Sequence, residues 1–572
     1  MDPLAPFREE VESSVKAALE EIGARQELQM EVPDAAIADF AFPCFSLAKV
    51  LRKAPAAIAE ELVAKIKTNS LIERVWADNG YLNFKVNQSE LVRATLQEVM
   101  RARSDYGKGE DKGTKVLLEH TSVNPTGPIH VGRARNPIIG DTLARCLRKC
   151  GYQVATEYLV NDVGRQVVLL SWGVRNIPQE DVVPASDRQK DDHLLVGFYQ
   201  RANEQLESKP EVEAQIASLT RGFEAGDPEV VSMVRETTER MLHGIRESLS
   251  SINVELDQYT WESQFILNGD AKRVVERLKT VPECHEEEGA FYLDLSAFGI
   301  HGRDTKFFFT RSDGTTLYTT RDMAYHQDKF KRADQLINVL GEDQKLEQQQ
   351  LAAALRILGG DKVPECLFYA FVSLPEGRMS TRKGRAVHLD DLIDEAEDRA
   401  YEEVRKRRVD LSEEKMRQIA RDIGRGALRF NIVRVQAEKQ IVFKWEEALN
   451  FEGNSAPFLQ YAHARCCSIL AKAGEFERVI DPSLLDDPYE RKLIRILAQY
   501  PTVVRDCGVK RRIHLMPAYG QEVASAFNQF YAYVPVLRSG ERQAVRLTLV
   551  ESTMWVLRGV LDNLGIVAPE EM

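Results

Sequence analysis

The 572-residue chain has no run of about 18 apolar residues, so no helix spanning a membrane is expected. No leader is expected at its start either. Its first stretch, MDPLAPFREEVESSVKAALEEIGA, is acidic and amphipathic, with neither the apolar core of a secretory signal nor the Arg-rich makeup of a transit peptide. That argues for the cytoplasm. The eight cysteines form no C-x-x-C pair and no Cys/His spacing that suits zinc. They read as buried free thiols in a reducing compartment. An excess of positive charge is lacking too. The net charge is −12, which speaks against a general nucleic-acid binder but not against a large enzyme touching RNA through local basic surface. The basic clusters Arg405–Arg408 and Lys510–Arg512 read first as solvated faces.

What is present is ordinary globular material, 44% hydrophobic and 29% charged, long enough for several domains. The expected fold is multidomain α/β. Residues 1–110 read as a small α/β unit: a helix pattern with Val11, Val15, Ala18 and Leu19 on one face, then two strands about an Asn79-Gly80 hairpin turn. Residues 111–404 read as a split Rossmann-type parallel sheet. Strand KVLLE (115–119), a helix ending before Gly151 with Ile139, Leu143, Cys146, Leu147 and Cys150 on one face, and strand YQVATEYLV form a βαβ unit. A mostly helical insertion at about 170–300 interrupts it. A hairpin KFFFTRSDGTTLYTT follows, and the strand–helix alternation then resumes. Residues 405–572 read as an all-α bundle without clear strands.

Two loops carry the chemistry. The segment EHTSVNPTGPIHVGRARNPIIGD lies between a strand and a helix, where free N–H groups and the positive helix end favour phosphate. His130 is placed to donate to a phosphate oxygen, and Gly132 to admit a nucleobase or ribose close to the backbone. The spacing is neither a Walker A motif nor G-x-G-x-x-G. The second loop, SLPEGRMSTRKGR, follows an apolar strand and is basic and glycine-flanked, suited to gripping and releasing a polyphosphate.

In these loops, Pro128-Ile129-His130-Val131-Gly132-Arg133 resembles the HIGH signature of class I aminoacyl-tRNA synthetases, and Arg378-Met379-Ser380-Thr381-Arg382-Lys383 resembles their KMSKS loop. The surrounding sequence, with YTTRDMAYHQDKF, NVLGEDQ, FLQYAHAR, FNQFYAYVPVL and the final LGIVAPEEM, resembles arginyl-tRNA synthetases over nearly the whole chain. The resemblance implies ATP, with Mg²⁺, bound by Pro128, His130, Gly132, Arg133, Met379 and Ser380. It implies catalytic roles for His130, Arg133, Arg378, Ser380, Arg382 and Lys383, and no zinc. Arg133 replaces the second histidine of HIGH, and Arg378 and Thr381 replace two lysines of KMSKS; a forked, always charged arginine can take over a phosphate contact.

The same resemblance assigns an arginine pocket. Glu119 and Asn124 match positions that hold the substrate's α-amino group, Tyr318 and Asp322 those that read its guanidinium, and Gln344 a further pocket residue. Tyr318 and Asp322 share one face if a helix begins there. A carboxylate can take a guanidinium through two parallel hydrogen bonds, which lysine cannot reproduce; rejection of about 10⁴-fold then needs no editing domain. The implied partner is tRNA for arginine, read by the C-terminal bundle through Tyr461, Arg465, Phe527 and Tyr531, and at the elbow by Asn83 and Phe84 of the N-terminal domain. The family suggests a monomer that needs tRNA to activate arginine. Two rivals stand beside this reading: a class I synthetase for another amino acid, and a non-catalytic RNA-binding paralogue.

Overall fold

The computed structural model describes residues 2–26, 28–31, 38–184, 186–373 and 387–572, with only the backbone at 303 and 304. In the N-terminal unit the helix Ala5–Glu21 buries Val11, Val15, Ala18 and Leu19, the face its spacing predicts. It packs near an antiparallel sheet of β1 (Phe40–Pro43), β2 (Ile72–Asp78) and β3 (Tyr81–Val86), in the order β1-β3-β2. Asn79 and Gly80 both take positive φ, 49° and 83°, which is what a tight hairpin turn matched to strand twist requires.

The next unit is built on β4 (Lys115–Glu119), β5 (Gln153–Val160) and β6 (Gln258–Trp261). A small antiparallel sheet of β7 (Cys284–Glu287), β8 (Ala290–Asp294) and β9 (Lys306–Phe308) follows, then β10 (Gln335–Gly341) and β11 (Glu365–Tyr369). The order β11-β10-β4-β5-β6 is parallel throughout, so the expected split doubly wound sheet is present. The insertion does more than interrupt: β6, the sheet's edge strand, lies inside the 170–300 span. The expected hairpin after residue 306 also shortens. It closes with one bridge, Thr310 to Thr316, and its second arm turns helical at Tyr318.

The helix Arg135–Lys149 is buried on both sides, not on one. Ile138, Asp141, Thr142 and Ala144 are covered as well as the predicted stripe, because it lies between the sheet and the C-terminal helices. Gly140 is needed there: a Cβ on it would sit 2.2 Å from the His120 ring.

After β12 (Val372–Ser373) the helix Leu389–Arg407 runs without a break through residue 404, where a division was expected. The bundle holds one short strand, β13 (Ile441–Val442), which pairs with β12. Its long helices include Glu413–Val433, Ala456–Ala473, Leu515–Tyr533 and Gln543–Leu564. Two buried arginines tie it to the preceding unit. Arg429 pairs with Asp141 and donates to the carbonyls of Leu564 and Ile252, each at 2.6 Å. Among the described residues Arg135 has no carboxylate ion pair; it donates to the carbonyls of Ala370, Val435, Gln436, Ala437 and Lys439 at 2.7–3.1 Å. Burial pushes its pKa down to about 10.

Candidate functional site

At the carboxyl ends of the central strands three polar residues lie side by side: Glu119 on β4 faces Asn338 on β10 and Glu157 on β5. All three are buried. The helix Tyr318–Arg332 crosses this row and supplies the compensating charge. Lys329 Nζ donates to Glu119 Oε2 at 2.5 Å, and Arg332 forks onto Glu157 at 2.5 and 3.0 Å. A carboxylate this deep must be paired or lose its charge.

Above the row opens a cavity of about 290 Å³. Glu119, Asn124, Tyr318, Asp322, Gln344 and also Arg133 line it. The sequence-predicted arginine-binding residues, spread over more than 220 positions, thus meet in one place. Its charges do not cancel. Glu119 is balanced by Lys329, and Glu262 by Arg321 at 2.5 Å. Asp322 and Glu347 have no Lys or Arg ion pair among the described residues. Burial first, then the Asp322 and Asp343 carboxylates, raises the pKa of Glu347. Burial first, then the Glu347 and Asp322 carboxylates, raises that of Tyr318 at the mouth. Even with Arg133 on its wall, the cavity holds more carboxylates than cationic groups, which favours a cationic ligand.

The loop leaving β4 is strained. Thr121 and Ser122 take φ of 72° and 36°, a left-handed conformation that a β-branched residue adopts only when held. The holding bonds are Thr121 N–H to Asn136 Oδ1 at 2.8 Å, Ser122 Oγ to Glu119 Oε1 at 3.0 Å, and Leu159 N–H to Ser122 Oγ at 3.0 Å.

Farther on, His130 caps the single turn Val131–Arg133, its Nδ1 accepting the Gly132 N–H at 3.1 Å. That leaves the neutral ring's proton on Nε2. The Gly132 N–H is thereby taken, and Gly132 itself, expected to admit a nucleobase or ribose close to the backbone, is buried. Pro128 is buried behind the loop and Arg133 is exposed. The backbone beside His130 pairs with the chain at His388, through Val131 N–H to Val387 O at 3.0 Å and Leu389 N–H to Ile129 O at 2.8 Å. Burial first, then His193, pushes the His388 pKa down to about 4. Arg378, Met379, Ser380, Thr381, Arg382 and Lys383 lie outside the described residues.

Among the described residues one group has His, Cys, Asp or Glu ligand atoms close enough for a metal: Asp192, His193 and Asp390. The Lys190 ammonium stands 3.1 Å from Asp192 and 2.9 Å from Asp390, where a cation would go.

On the bundle, Arg465 lies over the rings of Tyr461 and Tyr531, 4.5 and 5.2 Å from their centroids. Both tyrosines are exposed, at 43% and 44%, and Asn528 Oδ1 holds the guanidinium at 3.0 Å. Phe527 is a correction: it is fully buried and stacks behind Tyr531, so it cannot meet a base. Phe84 is another. It pairs with Phe40 and Val75 across the sheet and is fully buried in the N-terminal core. Asn83 is 4% exposed and donates weakly to Tyr81 O at 3.5 Å.

Several residues of the site escaped the sequence reading: Ser122, Glu262, Arg321, His326, Lys329, Asn338 and Glu347. Only two left a signal, His326 and Lys329, which follow Asp322 at helical spacing.

Models of three families match consecutive stretches: the arginyl tRNA synthetase N terminal domain over residues 9–86, the class I (R) tRNA synthetase catalytic domain over 95–445, and the DALR anticodon binding domain over 459–572. Among curated relatives, the arginine–tRNA ligase of Methanocella arvoryzae is 48% identical over 532 residues, 92% of either chain. That of Methanocaldococcus jannaschii is 41% identical over 583 residues, covering 98% of this chain and 100% of its own. The solved Thermus thermophilus arginyl-tRNA synthetase superposes with a TM-score of 0.84 at 30% identity, covering 99% of this chain and 100% of its own.

Proposed function

The chain belongs to the arginine–tRNA ligase family of class I synthetases, and from that premise we propose which of its residues carry the reaction. The reaction is ATP-dependent ligation of L-arginine to tRNA through an arginyl-adenylate. Arginine occupies the 290 Å³ cavity, its guanidinium on Asp322 with Tyr318 and Gln344, its ammonium on Glu119 and Asn124. A substrate carboxylate oxygen attacks the α-phosphorus in line, and the bond to pyrophosphate breaks. The terminal ribose 2′-hydroxyl of tRNA then takes the arginyl group, loses its proton, and AMP leaves. No side chain bonds covalently to substrate; the protein positions and neutralises. ATP rests on the loop that Pro128 and Gly132 shape from within and from which His130 and Arg133 reach it. His130 donates from Nε2 to a phosphate oxygen, and Arg133 and the Arg378–Lys383 loop, with Met379, Ser380 and Arg382, supply further contacts. Mg²⁺ enters with ATP as part of that substrate, in keeping with its preference for phosphate and water ligands and with the lysine-filled acidic cluster at Asp192 and Asp390.

Residues 405–572 grip the tRNA anticodon, with bases stacking on Tyr461, Arg465 and Tyr531. Residues 1–110 meet the elbow, and 111–404 carry the chemistry. The same reading makes the enzyme a cytoplasmic monomer; no described helix is long and apolar enough to cross a membrane. The observation that supports all this most is the surplus of carboxylate in the one cavity where the pocket residues meet. Asp322→Ala tests it: the arginine KM should rise at least about tenfold while the ATP KM stays within about twofold. An unchanged arginine KM overturns the pocket assignment.

A further inference from the structure

Glu119 and Asp322 stand at opposite ends of the proposed arginine, yet they are joined along the cavity wall by a chain of close polar contacts through Lys329, Asn338 and His326. Lys329 is wholly buried. Its ammonium donates to Glu119 Oε2 at 2.5 Å and to Asn338 Oδ1 at 2.9 Å, and lies 4.3 Å from the centroid of the Tyr325 ring. A lysine only donates, so the amide of Asn338 must turn its oxygen toward Lys329. Its Nδ2 then faces His326 Nε2 at 2.9 Å, and that nitrogen must accept. The imidazole proton is therefore fixed on Nδ1. His326 Nδ1 donates to the Asp322 carbonyl at 2.9 Å, which sets its N–H beside the side chain of the same residue, 3.0 Å from Oδ1. Each link dictates the next, from the lysine's charge to the orientation of one carboxylate. Asn338 and His326 are each 1% exposed, which leaves water little chance to scramble the order.

We propose that His326 and Asn338 are positioning residues that, with Lys329, hold the carboxyl groups of Glu119 and Asp322 in one pre-set arrangement for arginine. The inference rests on the pocket assignment above. Neither residue touches the reacting atoms. His326 sets its N–H beside one oxygen of Asp322, on the wall of the cavity. Asn338 guarantees that the group facing Asp322 is a neutral donor and not an imidazolium. A charged ring there would neutralise the carboxylate that the substrate guanidinium needs.

Asn338→Asp is the sharpest perturbation, because it barely changes shape. Its new carboxylate oxygen would accept from His326, which would then carry a proton on both nitrogens and present a cation to Asp322. The arginine KM in tRNA charging should rise about tenfold or more, with the ATP KM and the tRNA KM unchanged. His326→Ala should act in the same direction.

The decisive measurement is a double-mutant cycle on Asp322. If His326 acts through Asp322, adding His326→Ala to Asp322→Ala should change the arginine KM by less than about twofold. A merely structural role would add its full effect and move all three KM values. Unchanged arginine KM in both Asn338→Asp and His326→Ala, with Asp322→Ala still impaired, overturns the relay and leaves the pocket intact. An Asp322→Ala enzyme with normal arginine KM overturns the pocket and the relay together. If His326→Ala does not fold, Asn338→Asp and its cycle with Asp322→Ala decide by the same criteria.

Discussion

His120, next to Glu119, sets an acid limit on the site. Its ring is 1% exposed, its Nδ1 is 2.9 Å from Thr121 Oγ1, and its Nε2 has no hydrogen-bond partner among the described residues. Burial pushes its pKa down to about 4. An unfolded histidine titrates near 6.5, so between those values the unfolded chain binds a proton that the folded chain refuses. Stability therefore falls as pH drops through this window. Taking 6.5 and about 4, the loss from this one ring is about 0.2 kcal/mol at pH 7, about 2 kcal/mol at pH 5, and about 3 kcal/mol once both states are protonated. His120→Asn keeps a polar atom near Thr121 and removes the titration. It should be less stable than the parent at pH 7 because it leaves a gap against Gly140. Its further loss between pH 7 and pH 5 should be smaller than the parent's by about 2 kcal/mol. Urea unfolding followed by circular dichroism at both pH values measures this, with every other histidine common to the two proteins. Equal losses in parent and variant would refute the assignment of His120 as a ring held neutral by burial.

Other substitutions separate contact from core. Tyr531→Ala, at an exposed ring, should raise the tRNA KM by about five- to 150-fold without changing the melting temperature, whereas buried Phe527→Ala should cost about 3–5 kcal/mol in urea unfolding; the reverse pattern would remove the stacking role. Gly140→Ala would drive a methyl into the His120 ring and should destabilise by about 1–3 kcal/mol; a neutral result in thermal unfolding would mean that the helix can shift. Lys383→Ala should slow arginine-dependent pyrophosphate exchange at least about tenfold in the presence of tRNA, and an unaffected rate would move the loop's role to another basic residue.

Much of the fold is legible in the chain because its signals are local. The helix at Ala5–Glu21 follows from a stripe spaced at 3.6, and the β2–β3 hairpin from Asn79-Gly80, whose positive φ values suit those residue types. The strand–helix–strand from Lys115 to Val160 follows from two apolar runs around an amphipathic one. The edge strand β6 was missed because four residues inside a polar, helical stretch carry too little periodicity to stand out. The second arm of the expected hairpin after β9 failed for a related reason: LYTT suits a strand by composition, but the helix beginning at Tyr318 takes it into the pocket wall.

Sequence by itself determined the residue types at the site, the family they belong to, and the helical spacing that sets Tyr318 and Asp322 on one face. Only the tertiary structure decided which of those residues meet. Phe527 and Tyr531 are one helical turn apart and equally aromatic, yet neighbouring helices cover the first and leave the second 44% exposed. Asn83 and Phe84 read as candidate tRNA contacts, but the pairing of β3 with β1 and β2 seals Phe84 in the core. Lys329 pairs with Glu119 from 210 positions away. Backbone preference acts within a turn or two of chain, so a sequence carries it openly. Whether a charge survives burial depends on the group that the fold sets against it, and no local pattern records that group.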